Sequence, residues 1–136
     1  MSGGVEVIGL AELRANIERA IKENAANIEK AVSQIGDVAL LESTKRAPID
    51  EGHLTASLQK RMGRDEDGLS VAVMIPNNSP AAQYALPMHE GDYQPGEKSL
   101  KKQTRAGVQV GRKFITRGVD AGRGKYKLII KKLLGI

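Results

Sequence analysis

Apolar residues recur along the first third of the chain at intervals of three and four: Leu10, Leu13, Ile17, Ile21, Ala25, Ile28, Val32, Ile35 and Ala39. Between them stand Glu12, Arg14, Glu18, Arg19, Lys22, Glu23, Glu29 and Lys30. That period puts the apolar set on one stripe of an amphipathic helix. Unbroken to Arg46, such a helix would measure about 55 Å at 1.5 Å per residue. This is long for a chain of 136 residues, and Gly36-Asp37 is the place where a kink or break is expected. Pro48 ends the pattern, because proline disfavours helical geometry at the residue before it. Ahead of the helix, Met1–Gly4 reads as flexible, and Val5, Val7 and Ile8 form a short apolar alternation.

After Pro48 the period changes. Ala47-Pro48-Ile49-Asp50-Glu51-Gly52 reads as a turn. Leu54, Ala56, Leu58 and Met62 then alternate with polar neighbours, as do Leu69, Val71, Val73 and Ile75. Two strands are predicted, joined as an antiparallel hairpin through the polar, glycine-bounded Gly63–Gly68. Pro76–Pro80 breaks regularity, and Tyr84–Gly91 is a short mixed segment containing Pro87. From Asp92 to Gly111 apolar anchors are few, and a long mobile loop is expected, a feature that in compact domains is usually functional. Lys113 to Ile136 regains an amphipathic pattern weakened by Gly118, Gly122 and Gly124, which suggests two short helices or one poorly capped one. The expected fold class is α+β: a long N-terminal helix packed on a small antiparallel sheet, a long basic loop and a C-terminal helix. One domain covers residues 1–136, with a scaffold over 5–91, the loop over 92–111 and a closing helical segment over 112–136.

Composition narrows the chemistry. The chain has no Cys and no Trp, which removes disulfides, thiol nucleophiles and cysteine metal sites, and its core must be aliphatic. No apolar run approaches the roughly eighteen residues of a membrane span, and the start lacks the pattern of a secretory leader, so a soluble domain kept in a cytoplasm is expected. The net charge of +5 hides a division. Residues 1–96 carry nine Lys/Arg against fourteen Asp/Glu, a balance of −5, whereas residues 97–136 carry twelve against two, a balance of +10. Such a division suits a basic tail facing nucleic acid, an acidic membrane or an acidic protein patch, or a self-complementary surface between subunits.

The candidate chemical sites are sparse. The chain's two histidines, His53 and His89, stand near Asp50, Glu51, Glu90 and Asp92, but without metal-ligand or catalytic spacing. Gly122-Arg123-Gly124-Lys125 is out of register with a phosphate loop: Gly118 lies one residue too far away and Tyr126 replaces Ser or Thr. The aromatics, Tyr84, Tyr93, Phe114 and Tyr126, are too scattered for a base-stacking platform. No catalytic, cofactor or metal site is expected.

Three patches, in order, resemble the tailed-bacteriophage neck family variously described as tail completion, tail terminator, head–tail joining or minor capsid proteins. The first is Gly9-Leu10-x-x-Leu13 at the head of the long helix. The second is Ala47-Pro48-Ile49-Asp50-Glu51-Gly52-His53-Leu54-x-x-Ser57-Leu58, similar to an A-P-hydrophobic-D-x-G-x-L-x-x-S-hydrophobic signature. The third is Tyr84-Ala85 leading to His89-Glu90-Gly91, then Lys113-Phe114-Ile115-x-Arg117. The resemblance spans about residues 5–121, and its specificity lies in the joint order of short motifs. Glu51 stands where Thr is usual and Gly118 where Ala is usual.

The resemblance implies a non-enzymatic subunit, six copies of which form a ring at the head-proximal end of a phage tail. Its place would be the virion neck, after assembly in the host cytoplasm. The ring would cap the tail-tube protein and meet the head-completion or connector protein, with DNA passing through its lumen and no membrane involved. Pro48 would stop the helix, Asp50 and Gly52 would shape the turn, and Leu54 and Leu58 would anchor the first strand in the core. Tyr84, Glu90, Gly91 and Phe114 would position the neck segment and closing helix. Lys98, Lys101, Lys102, Arg105, Arg112 and Lys113 would face lumenal DNA or an acidic neighbouring ring, with a solvated charge run as the plainer reading. The competing functional class is a basic nucleic-acid-binding protein using residues 97–136.

Overall fold

A computed structural model describes residues 10–49, 53–66, 68–91 and 93–135. Its elements run α1 (Leu10–Arg46), α2 (His53–Ser57), β1 (Gln59–Asp65), β2 (Gly68–Met74), α3 (Ala82–Glu90), α4 (Glu97–Ala106), α5 (Phe114–Ala121) and α6 (Arg123–Leu134). The architecture is α+β, with the long helix α1 carrying the hairpin, α5 and α6. The expected alternation at Val5–Ile8 and the turn residues Asp50, Glu51 and Gly52 lie outside the described residues.

Helix α1 passes through Gly36 without a break over 37 residues. The glycine serves packing instead: a Cβ there would stand 2.5 Å from Val71 Cγ2 and 3.0 Å from Lys60 Cδ, so its absence lets the hairpin lie directly on the helix. Lys60 of β1 fastens the contact, its Nζ donating to Ser33 O (3.0 Å), Ser33 Oγ (2.7 Å) and Asp37 Oδ1 (2.6 Å). Ala31 and Ala39 along α1 and Ala47 just after it are buried, whereas Lys22–Ala26 and Ile28–Lys30 are exposed. The helix stops one residue before Ala47-Pro48, where proline is expected to stop it.

The strand predicted from Leu54 begins five residues later. Residues His53–Ser57 form a helical turn, and β1 starts at Gln59. Leu54 and Leu58 are 1% and 7% exposed and form the core with Ala47, Ala81 and Phe114, while Ala56 between them is exposed. A spacing of four lets a helical turn bury both leucines, whereas a strand would have buried Ala56 with them. Both residues are buried in the core, but in a helical turn and the residue after it, not in the first strand. The hairpin itself follows the alternation: Gln59↔Met74 through Asp65↔Gly68 are paired antiparallel, with Gly68 at φ +118° closing the turn.

The segment 92–111, expected to be a loop, contains the ten-residue helix α4. Its body-facing side is polar, with Ser99 only 2% exposed, so no apolar period announced it. The Ser99 hydroxyl accepts from Ile49 N at 2.8 Å, and the Gln103 side chain accepts from Val110 N at 3.1 Å. Gly107, at φ +70°, terminates the helix by donating to Gln103 O. The closing segment is two helices, divided at Gly122, where a Cβ would overlap the Tyr126 ring. Gly118 of α5 sits against Ser43 of α1 so closely that a Cβ would lie 2.5 Å from Ser43 N, Cα and Oγ.

Candidate functional site

The second and third sequence patches meet in one place. Ala47 and Pro48 at the end of α1, Leu54 and Leu58 around α2, and Phe114 at the start of α5 are all buried, and Tyr84, Ala85 and Ile115 pack against them. Phe114 also meets the His89 ring edge-on, with centroids 5.0 Å apart. His89, Phe114, Ile75, Ala85, Leu86 and Ile115 border an apolar cavity of about 270 Å³, with Leu86 standing exposed at its mouth.

Glu90 ties the segments of the third patch together. Its carboxylate meets Lys113 Nζ and, at 2.9 Å, His89 Nδ1, and its backbone oxygen accepts from Arg112 Nε at 3.1 Å. The Lys113 ammonium, and after it the His89 ring, hold the Glu90 carboxyl below the usual glutamate range. Gly91 permits the tight end of α3: a Cβ there would stand 2.5 Å from Pro87 O, to which the Gly91 amide donates at 2.8 Å. Tyr93 seals the junction by donating to Met88 O at 2.6 Å, and burial raises the pKa of its phenol. Arg117 braces 109–112 through the carbonyls of Gln109 and Arg112, both at 2.9 Å.

The six basic residues therefore divide. Lys102 is half-buried, and its Nζ donates to Thr44 O at 2.5 Å and Ala47 O at 2.7 Å, carbonyls that the end of α1 leaves without helical partners. Burial, and after it the neighbouring Arg105 charge, push its pKa down. Arg112 and Lys113 bond to Glu90. These three take part in the fold's own bonding, Lys102 half-buried and Arg112 exposed.

Lys98, Lys101 and Arg105 are exposed, and with Ile49 and Thr104 they line an open groove of about 570 Å³. Lys101 pairs with Glu97 at 3.2 Å, an exposed contact of small energetic weight. Comparison of the chain with family models, with curated proteins and with solved structures finds no match. The groove's place in the fold thus rests on its own geometry: three cations spaced i, i+3, i+7 over an isoleucine floor, suited to a partner that is acidic and partly apolar.

Nothing in the sequence pattern brings Ile49 and Thr104 together with these cations in a groove, because α4 lacks an apolar signature; the i, i+3, i+7 spacing of its cations is the available signal. The remaining candidate chemistry does not assemble. Gly124 and Lys125 lie within α6, so the Gly122–Lys125 stretch forms no open phosphate cradle. Among the described residues, no three His, Asp or Glu side chains are grouped as metal ligands. No helix among them is long and apolar enough to cross a membrane.

Proposed function

We propose that this protein is a non-enzymatic structural subunit of the tailed-phage neck, a ring-forming tail terminator that caps the tail tube and joins it to the head-completion protein. The observation that carries this reading is the convergence of the ordered sequence patches. Ala47, Leu54 and Leu58 from one, and Tyr84-Ala85 and Phe114-Ile115 from another, are about 25 to 70 residues apart in sequence yet build a single core. Shared motifs that specify one core are what a common subunit fold requires. The ring, most simply a homohexamer, presents Lys98, Lys101 and Arg105 to a neighbour. Its site in the virion is the neck, where genomic DNA crosses the lumen.

Solution mass measurement and imaging with tail-tube protein test the proposal. Closed rings that seat on tube ends are expected. Removing the gene leaves filled heads and unjoined tails, or tails of uncontrolled length. A protein that stays monomeric even with tail-tube protein, or normal virions formed without it, overturns the reading.

A further inference from the structure

The groove on α4 and the hairpin tip carry opposite charge and lie apart along α1. The tip follows Arg64 with Asp65 and Glu66, both exposed, and Asp67 comes next in the sequence. The groove presents Lys98, Lys101 and Arg105 beside Ile49. Their placement follows from two contacts. Val71 of β2 lies on Gly36 of α1, and Val73, two residues nearer the root, packs on the core that includes Ala47. The hairpin therefore follows α1 away from its C-terminal end as it approaches the tip. Lys102 and Ser99 hold α4 at that C-terminal end, on Thr44, Ala47 and Ile49. At 1.5 Å per helical and about 3.3 Å per strand residue, tip and groove are on the order of 25 Å apart. No side chain spans that distance within one subunit.

We infer that the groove is a docking site for a second copy of this chain, which inserts its acidic hairpin tip between Lys98, Lys101 and Arg105. The contact is head-to-tail: a different surface is used on each side, so successive copies close into a ring if the rotation allows. Charge complementarity selects this occupant, and the exposed part of Ile49 covers the stem of the tip. The inference rests on the ring-forming reading and gives that ring its interface.

Charge reversal in the full-length chain tests it. One variant combines Lys98→Glu, Lys101→Glu and Arg105→Glu; the other combines Asp65→Lys and Glu66→Lys. Each alone is expected to raise the concentration for half-assembly by about tenfold or more. Their equimolar mixture should assemble again, since each then supplies the partner the other needs. Circular dichroism and thermal unfolding establish that both remain folded. A second measurement exploits the absence of native cysteine. Glu66→Cys on one copy and Lys101→Cys on another should give a disulfide-linked dimer when mixed and oxidised, and neither variant alone should do so.

Parent-like assembly by either reversed variant overturns this interface and leaves the ring intact. Failure of the mixture, or of the crosslink, overturns the pairing. Assembly that occurs only on a DNA duplex and dissolves with nuclease assigns the groove to nucleic acid and overturns it too. A parent chain monomeric under all conditions overturns both this inference and the ring.

Discussion

A few side chains decide whether neighbouring segments can meet, and Gly118 is the sharpest case. The α5 backbone at Gly118 rests on Ser43, and no room exists for a methyl group. Gly118→Ala is expected to destabilise the fold by about 1–3 kcal/mol through overpacking, read as a lower urea midpoint at unchanged slope. Full stability would mean that α1 and α5 separate readily. The glycine's place, where the resembling family usually has alanine, thus coincides with a close approach of two helices. Lys102 belongs to the same scale. Lys102→Met keeps much of the stem but strands two carbonyls, at a cost of about 1–3 kcal/mol, whereas Lys98→Met at the exposed groove should stay within about 0.5 kcal/mol. Glu90 adds a pH signature. Its folded pKa lies below its unfolded one, so its contribution is present above the unfolded value and is lost as pH falls through the folded value. As pH falls through and below the ordinary glutamate range, the parent should lose stability more steeply than Glu90→Gln, a difference visible in denaturant midpoints taken across that range.

At the level of elements, the two leucines after the turn separate a helical turn from a strand. Leu54→Ala should cost about 2–5 kcal/mol, while Ala56→Asp should be tolerated within about 0.5 kcal/mol; comparable losses at both would favour the strand pairing that alternation suggested. The same pair shows why parts of the fold were legible in the sequence and others were not. Helix α1 was readable because its apolar stripe repeats over many turns, and β2 because Leu69, Val71 and Val73 alternate with Ser70 and Ala72. The five residues of α2 are too few to distinguish a spacing of four from two steps of two. Helix α4 was hidden for another reason: it attaches through Ser99, Lys102 and Gln103, whose hydrogen bonds leave no trace in a hydrophobic pattern. Weakening by Gly118, Gly122 and Gly124 was readable, but which of them divides the closing segment was not, and the use of Gly36 for close packing instead of a kink depended on Val71, distant in sequence.

Across the whole molecule, the division of charge at residue 96 has become a division of place. The acidic hairpin tip and the cationic groove stand apart along α1, and three of the six basic residues of the 97–113 stretch also bond within the fold. Replacing Lys98, Lys101 and Arg105 with Gln should impair head–tail joining in complementation while leaving the thermal midpoint within about 2 °C of the parent. A matching loss of thermal stability would assign those residues to folding instead. The attachment of α4 has a mechanical corollary. Lys101 faces the groove and its neighbour Lys102 grips the last carbonyls of α1, so traction on one reaches the other through a single peptide unit. Seating a neighbour should therefore quiet the backbone at the foot of the long helix, slowing amide exchange around residues 44–47, although no atom of the neighbour touches it.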